Sequence, residues 1–120
     1  MDCEADNPVA DKSFEFAVRI VNLSKYLRGE KREYVLSKQL LRSGTSIGAN
    51  VFEGQRAQSR ADFHAKMCIA LKEANETYFW IKLLFRTDYL SKVQFHSMIK
   101  ELDEIMRLLT AICKSTASGS

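Results

Sequence analysis

Apolar residues recur every three to four positions along most of this 120-residue chain, in four blocks separated by short polar breaks. That spacing predicts helices and no strands. The first block predicts a helix over Lys12–Arg28, with Asp11 or Ser13 at its cap and Gly29 as its stop. At 100° per residue, Phe14, Ala17, Ile20, Val21, Ser24 and Leu27 share one face, and Glu15, Arg19, Asn22 and Tyr26 lie opposite. The second runs over Arg32–Arg56, with Leu36, Leu40, Gly44, Ile47 and Val51 in a narrow stripe widened by Ser37 and Gly48. The third begins after Ser59, a capping hydroxyl, and ends near Thr87. Its core stripe is Phe63, Met67, Ala70, Leu71, Ala74, Tyr78, Ile81 and Phe85. The fourth opens on a capping box, Ser91 with Gln94, and carries Phe95, Met98, Ile99, Leu102, Ile105, Met106, Leu109 and Cys113 on one side. The expected fold is all-α: an antiparallel up-down-up-down four-helix bundle over 11–115, with flexible tails at 1–10 and 116–120.

Two features go beyond a generic bundle. The stretch "LLRSGTSIGANVFEG", residues 40–54, keeps helical phase across three glycines. A mid-helix glycine costs about 1 kcal/mol relative to alanine, so a closely approaching neighbour is expected at Gly44 and Gly48. A phosphate-binding loop is excluded: no GK[ST] step follows, and no strand precedes the glycines. The second feature is the helix over residues 60–87, which is apolar on two sides. Ile69, Trp80 and Leu83, with Leu84 at the flank, lie opposite its core stripe and are interrupted by Glu73 and Glu76. Such a helix needs cover on both sides, which makes these four residues the expected interface of a homo-oligomer.

Composition narrows the class. Hydrophobic residues make up 46% and charged residues 28%, a globular balance. Net charge is +3, yet residues 31–66 hold seven Lys or Arg against three acids. Cys3, Cys68 and Cys113 are odd in number and show no CxxC spacing. They suit a reducing cytoplasm better than a disulfide framework or a zinc site. Cys68 and Cys113 fall at core phases and read as packing residues. No long uncharged apolar run or signal-like start occurs, so a soluble, cytoplasmic chain is expected, with no membrane partner.

"QLLRSGTSIGANVFEG" together with "DFHAKMCIALKEANETYFWIKLL" resembles the bacterial four-helix bundle proteins encoded in intervening sequences of large-subunit ribosomal RNA genes. The most specific parts are R-x-x-x-S-I-x-x-N-x-x-E-G, Arg42 through Gly54, and A-L-K-E-A-x-E-T, Ala70 through Thr77. The family is also similar to the accessory variability protein of diversity-generating retroelements. The resemblance implies a ring-forming, typically pentameric bundle. Its partners would be RNA or DNA and a reverse transcriptase or another protein.

Candidate chemistry is sparse. Arg42, Ser46, Asn50, Glu53, Glu73 and Glu76 are expected to form a buried polar network, because partly buried carboxylates need partners. A di-metal site of Glu and Glu-x-x-His pairs is not supported, since neither His64 nor His96 follows a glutamate by three. No cofactor motif or marked nucleophile is present. Lys31, Arg32, Lys38, Arg42, Arg56, Arg60 and Lys66, interleaved with Tyr34 and Phe52, form a candidate nucleic-acid surface. The favoured reading is a non-enzymatic oligomeric adaptor binding nucleic acid. The alternative is a protein-binding scaffold with no nucleic-acid role, and an enzyme using Glu73 and Glu76 stands third.

Overall fold

A computed structural model describes residues 7–117. The remainder of the two tails, with Cys3, lies outside the described residues. Four helices form: α1 (Pro8–Gly29), α2 (Leu36–Gly54), α3 (Arg60–Arg86) and α4 (Lys92–Thr116). Facing residues run in opposite senses at every seam. Gly44 meets Ile20 while Gly48 meets Ser13, Arg42 meets Glu73 while Glu53 meets Lys66, and Phe85 meets Phe95 while Cys68 meets Cys113. Arg19 and Lys12 reach Glu101 and Glu104 to close α1 against α4. This is the antiparallel up-down-up-down bundle that the pattern predicts.

The α1–α2 seam is close. A Cβ at Gly48 would sit 3.1 Å from the Ser13 backbone oxygen, and one at Gly44 would sit 2.7–2.8 Å from three side-chain atoms of Ile20. The glycines therefore serve close helix approach, not a loop. That approach also rotates α1 from its expected setting. Its buried residues are Val9, Ser13, Phe16, Ile20, Leu23, Ser24 and Leu27, whereas Phe14 is 65% exposed. A small serine fits where the α2 backbone presses in, and a phenyl ring would not. Thr77 displaces Tyr78 from the core of α3 for the same reason: its small side chain fits the α2–α3 seam, where its hydroxyl is hydrogen-bonded to Ser43 Oγ at 3.0 Å.

Helix ends follow local chemistry. α1 starts four residues earlier than expected, because Asn7 accepts from the Ala10 amide and Pro8 occupies the first turn. The expected caps of the last two helices form: Ser59 accepts from Asp62 N, and Ser91 and Gln94 bond reciprocally. α2 is capped by a residue the pattern placed inside the helix. The buried Glu33 carboxylate accepts from the amides of Val35, Leu36 and Ser37 at 2.7–3.2 Å. Arg32, not Gly29, takes the left-handed conformation that turns the chain, with φ 55°.

Three stability outcomes follow from these contacts. Gly44→Ala should destabilise the bundle by about 1–2 kcal/mol, because overpacking of about 1–3 kcal/mol outweighs the gain in helix propensity. Gly29→Ala, with nothing within 4 Å of the added atom, should be neutral or stabilising. Glu33→Ala should cost about 1–2 kcal/mol by stripping the α2 cap. Urea unfolding monitored by circular dichroism measures all three.

Candidate functional site

Because α2 and α3 meet through small residues, their longer side chains are driven to the rim. Arg42 of α2 reaches across to α3, donating to Glu73 at 3.3 Å and to Glu76. Glu76 Oε2 also accepts from Trp80 Nε1 at 2.9 Å. One guanidinium, two carboxylates and an indole are thus linked on the surface, with the Arg42 side chain 48% exposed. The network expected to be buried is a rim network, and it is smaller than expected. Ser46 and Asn50 bond carbonyls of their own helix, at Arg42 and Ser46, and Glu53 pairs separately with Lys66 at 3.6 Å. The interior polar contact is Ser43–Thr77, both fully buried.

Next to the rim network, the second apolar side of α3 lies uncovered. Ile69 is 42% and Phe79 55% exposed, and Phe79 packs edge-on against Trp80 with ring centroids 5.0 Å apart. Leu83 is half-buried and borders a shallow depression with Phe79, Lys82 and Arg86. Leu84 departs from the expected interface: it is 0% exposed and belongs to the core. Its phase falls one position from Leu83, so the 100° step turns it inward. Phe79 takes the place on the outer side that the pattern assigned to Leu84.

The seven candidate cations divide into two groups. Arg42 and Lys66 are engaged by carboxylates, and Arg60 donates to the Ser115 carbonyl at 3.0 Å. Lys31, Arg32 and Lys38 are exposed and have no ion pair among the described residues. Arg56 lies over the exposed Phe52 ring, 5.5 Å from its centroid. Lys31, Arg32 and the exposed Tyr34 sit at one end of α2, and Phe52 and Arg56 at the other. Thr45 and Ala49 form a low surface between them.

A further cluster escaped the sequence reading, which treated both cysteines as packing residues. Cys68 of α3 and Cys113 of α4 bring their sulfurs to 3.0 Å as free thiols. His64, one turn before Cys68, stands 3.5 Å from Cys68 through Nε2 and 2.7 Å from Thr116 Oγ1 through Nδ1. Burial, then the hydrogen bond and charge of Cys68, push the Cys113 thiol up to about 12. An i, i+4 His–Cys pair was the signal present in the sequence, but its partner lay on another helix. No group of three or more metal-ligating residues occurs among the described residues, and none of their helices is long and apolar enough to cross a membrane.

The fold and its rim define an all-α four-helix bundle with polar and apolar outer faces. The model of the 23S rRNA-intervening sequence protein family matches residues 5–111, and the chain belongs to that family. A 1.70 Å crystal structure of a protein with unknown function from the S23 ribosomal protein family, from Bacteroides thetaiotaomicron VPI-5482, is 59% identical. The match covers 90% of this chain and 96% of that one, with a TM-score of 0.88. No curated protein matches the chain.

Glu76→Ala should release Trp80 and leave Arg42 held by Glu73 alone. The expected cost is about 1 kcal/mol, as for a rim network of partly exposed charges, with a red shift of Trp80 emission. Fluorescence-detected unfolding gives both quantities.

Proposed function

We propose that the chain is a non-enzymatic, self-assembling bundle that presents a cationic and aromatic surface to RNA or DNA. The observation that carries this reading is the outer side of α2 and its preceding turn. Four cations there, Lys31, Arg32, Lys38 and Arg56, have no carboxylate partner among the described residues, and two exposed rings, Tyr34 and Phe52, accompany them. Free cations exchange condensed counterions for phosphate contacts, and exposed rings offer faces on which bases stack. Engaged cations such as Arg42 contribute less, because a phosphate would have to displace Glu73 and Glu76.

Self-assembly is supported by the uncovered side of α3. Ile69, Phe79, Trp80 and Leu83 form the exposed apolar surface that another copy would cover. A pentameric ring repeats the free cations around its circumference and raises the local field beyond what a net charge of +3 per chain supplies. The description of the Bacteroides protein names a ribosomal protein family, which favours an RNA partner.

The scaffold reading, in which the bundle binds only protein, is favoured by one observation. Three of the seven candidate cations are already held within the chain. Gel-shift titration with mixed RNA and DNA separates the two. For about four phosphate contacts, affinity should fall about a hundredfold between about 50 and 200 mM salt. Lys38→Glu with Arg56→Glu should remove the shift while leaving the assembled mass unchanged. No shift at low salt leaves the scaffold reading.

A further inference from the structure

Among the described residues, the contact between Cys68 and Cys113 joins α3 to α4 by a pair of free thiols. Their sulfurs are 3.0 Å apart, about 1 Å beyond the length of a disulfide bond. Both residues are half-buried, so a small reagent can reach them.

The hydrogen bonds around His64 assign its tautomer. Thr116 Oγ1 has one proton, and it donates that proton to the Ile112 carbonyl at 2.7 Å. Toward His64 the hydroxyl can therefore only accept, so Nδ1 carries the hydrogen of the 2.7 Å contact. Nε2 is left unprotonated 3.5 Å from Cys68 Sγ, and Nδ1 lies 3.9 Å from the same sulfur, so the thiol sits beside the ring, off the axis of the Nε2 lone pair. An unprotonated imidazole at this range takes the thiol proton once the two groups turn toward each other. Cys113 has no such base and is held protonated by burial and by Cys68 itself. The two thiols are chemically unequal.

We infer that Cys68 and Cys113 form a reversible dithiol site for small-molecule disulfides of the glutathione class. Cys68 attacks, Cys113 resolves, and His64 receives the Cys68 proton. In the first step the Cys68 thiolate forms a bond to one sulfur of the small disulfide, and the other sulfur leaves as a thiolate that takes up the proton held by His64. In the second, Cys113 loses its proton, attacks Cys68 Sγ and expels the remaining small thiol. Two protein thiols are oxidised and one small disulfide is reduced to two thiols, so protons and electrons balance. The second step is eased by the first, because two of the three influences holding Cys113 protonated come from the Cys68 thiol that has been consumed.

The product ties α3 to α4 across a separation of 45 residues. It lies at the end of the bundle where Arg60 bonds Ser115. Closing so long a segment restricts the unfolded chain and hardens that end of the bundle. The inference is independent of the proposed nucleic-acid role.

The test uses the full reduced chain carrying Cys3→Ser, with oxidised glutathione as the probe, followed by intact-mass and peptide-mapping spectrometry. The expected product is a single intramolecular Cys68–Cys113 cross-link whose melting temperature exceeds that of the reduced chain by at least about 5 °C. Cys113→Ser should stop with one glutathionyl group on Cys68. His64→Gln should react about tenfold more slowly at an unchanged melting temperature of the reduced chain, and free imidazole should restore its rate. Separate adducts without a cross-link, or a first adduct on Cys113, would overturn the site. A wild-type rate for His64→Gln would overturn the part given to the imidazole.

Discussion

The approach of α1 to α2 at Gly44 and Gly48 sets the geometry on which the rest of the bundle depends. With no side chain at either position, Ile20 and the Ser13 carbonyl come into contact with the α2 backbone. α2 forms two of the seams, so its close setting is felt on both sides. Ser13, Ser24, Ser37, Ser43 and Thr77 are buried where larger residues would hold the helices apart. The apolar interior is carried instead by Phe16, Ile20, Leu40, Ile47, Ile81, Leu102 and their neighbours, all fully buried.

Closely set helices have little room for long side chains between them. Arg42, Glu73, Glu76 and Trp80 are consequently gathered at the rim and satisfied by one another. The large apolar groups excluded from the seams, Phe14 on α1 and Phe79 on α3, are left in contact with water. Exposed rings on a chain with this much core are surplus to its own folding. The proposed assembly gives Phe79 a role. Repetition of the cations around α2 in that assembly would multiply the modest charge of each chain.

Much of this was legible in the residues. Helical phase ran unbroken through Gly44 and Gly48, so a close seam was the reading left once a loop and a phosphate cradle were excluded. The caps at Ser59 and Ser91 were visible because capping chemistry is local. What escaped was the rotation of each helix about its axis. Periodicity fixes a stripe to within about one residue, and size favoured Phe14 over Ser13 and Tyr78 over Thr77. The tight seam reversed both choices, because it selects for smallness. Leu84 was assigned outward through the same one-residue uncertainty in phase. Glu33 was hidden because its capping role depends on a left-handed Arg32, which no propensity favours. The pairing of Cys68 with Cys113 required knowing which turns of α3 and α4 face each other, information that the spacing within either helix does not contain.

The account turns on whether the apolar side of α3 is covered by another copy of the chain. Multi-angle light scattering of the purified protein, repeated over successive dilutions, measures this directly. The account predicts a mass several times that of one chain, reduced to a single chain when Ile69 and Phe79 are both replaced by glutamate. A wild-type protein that remains a single chain at every concentration, with its fold intact, would contradict it.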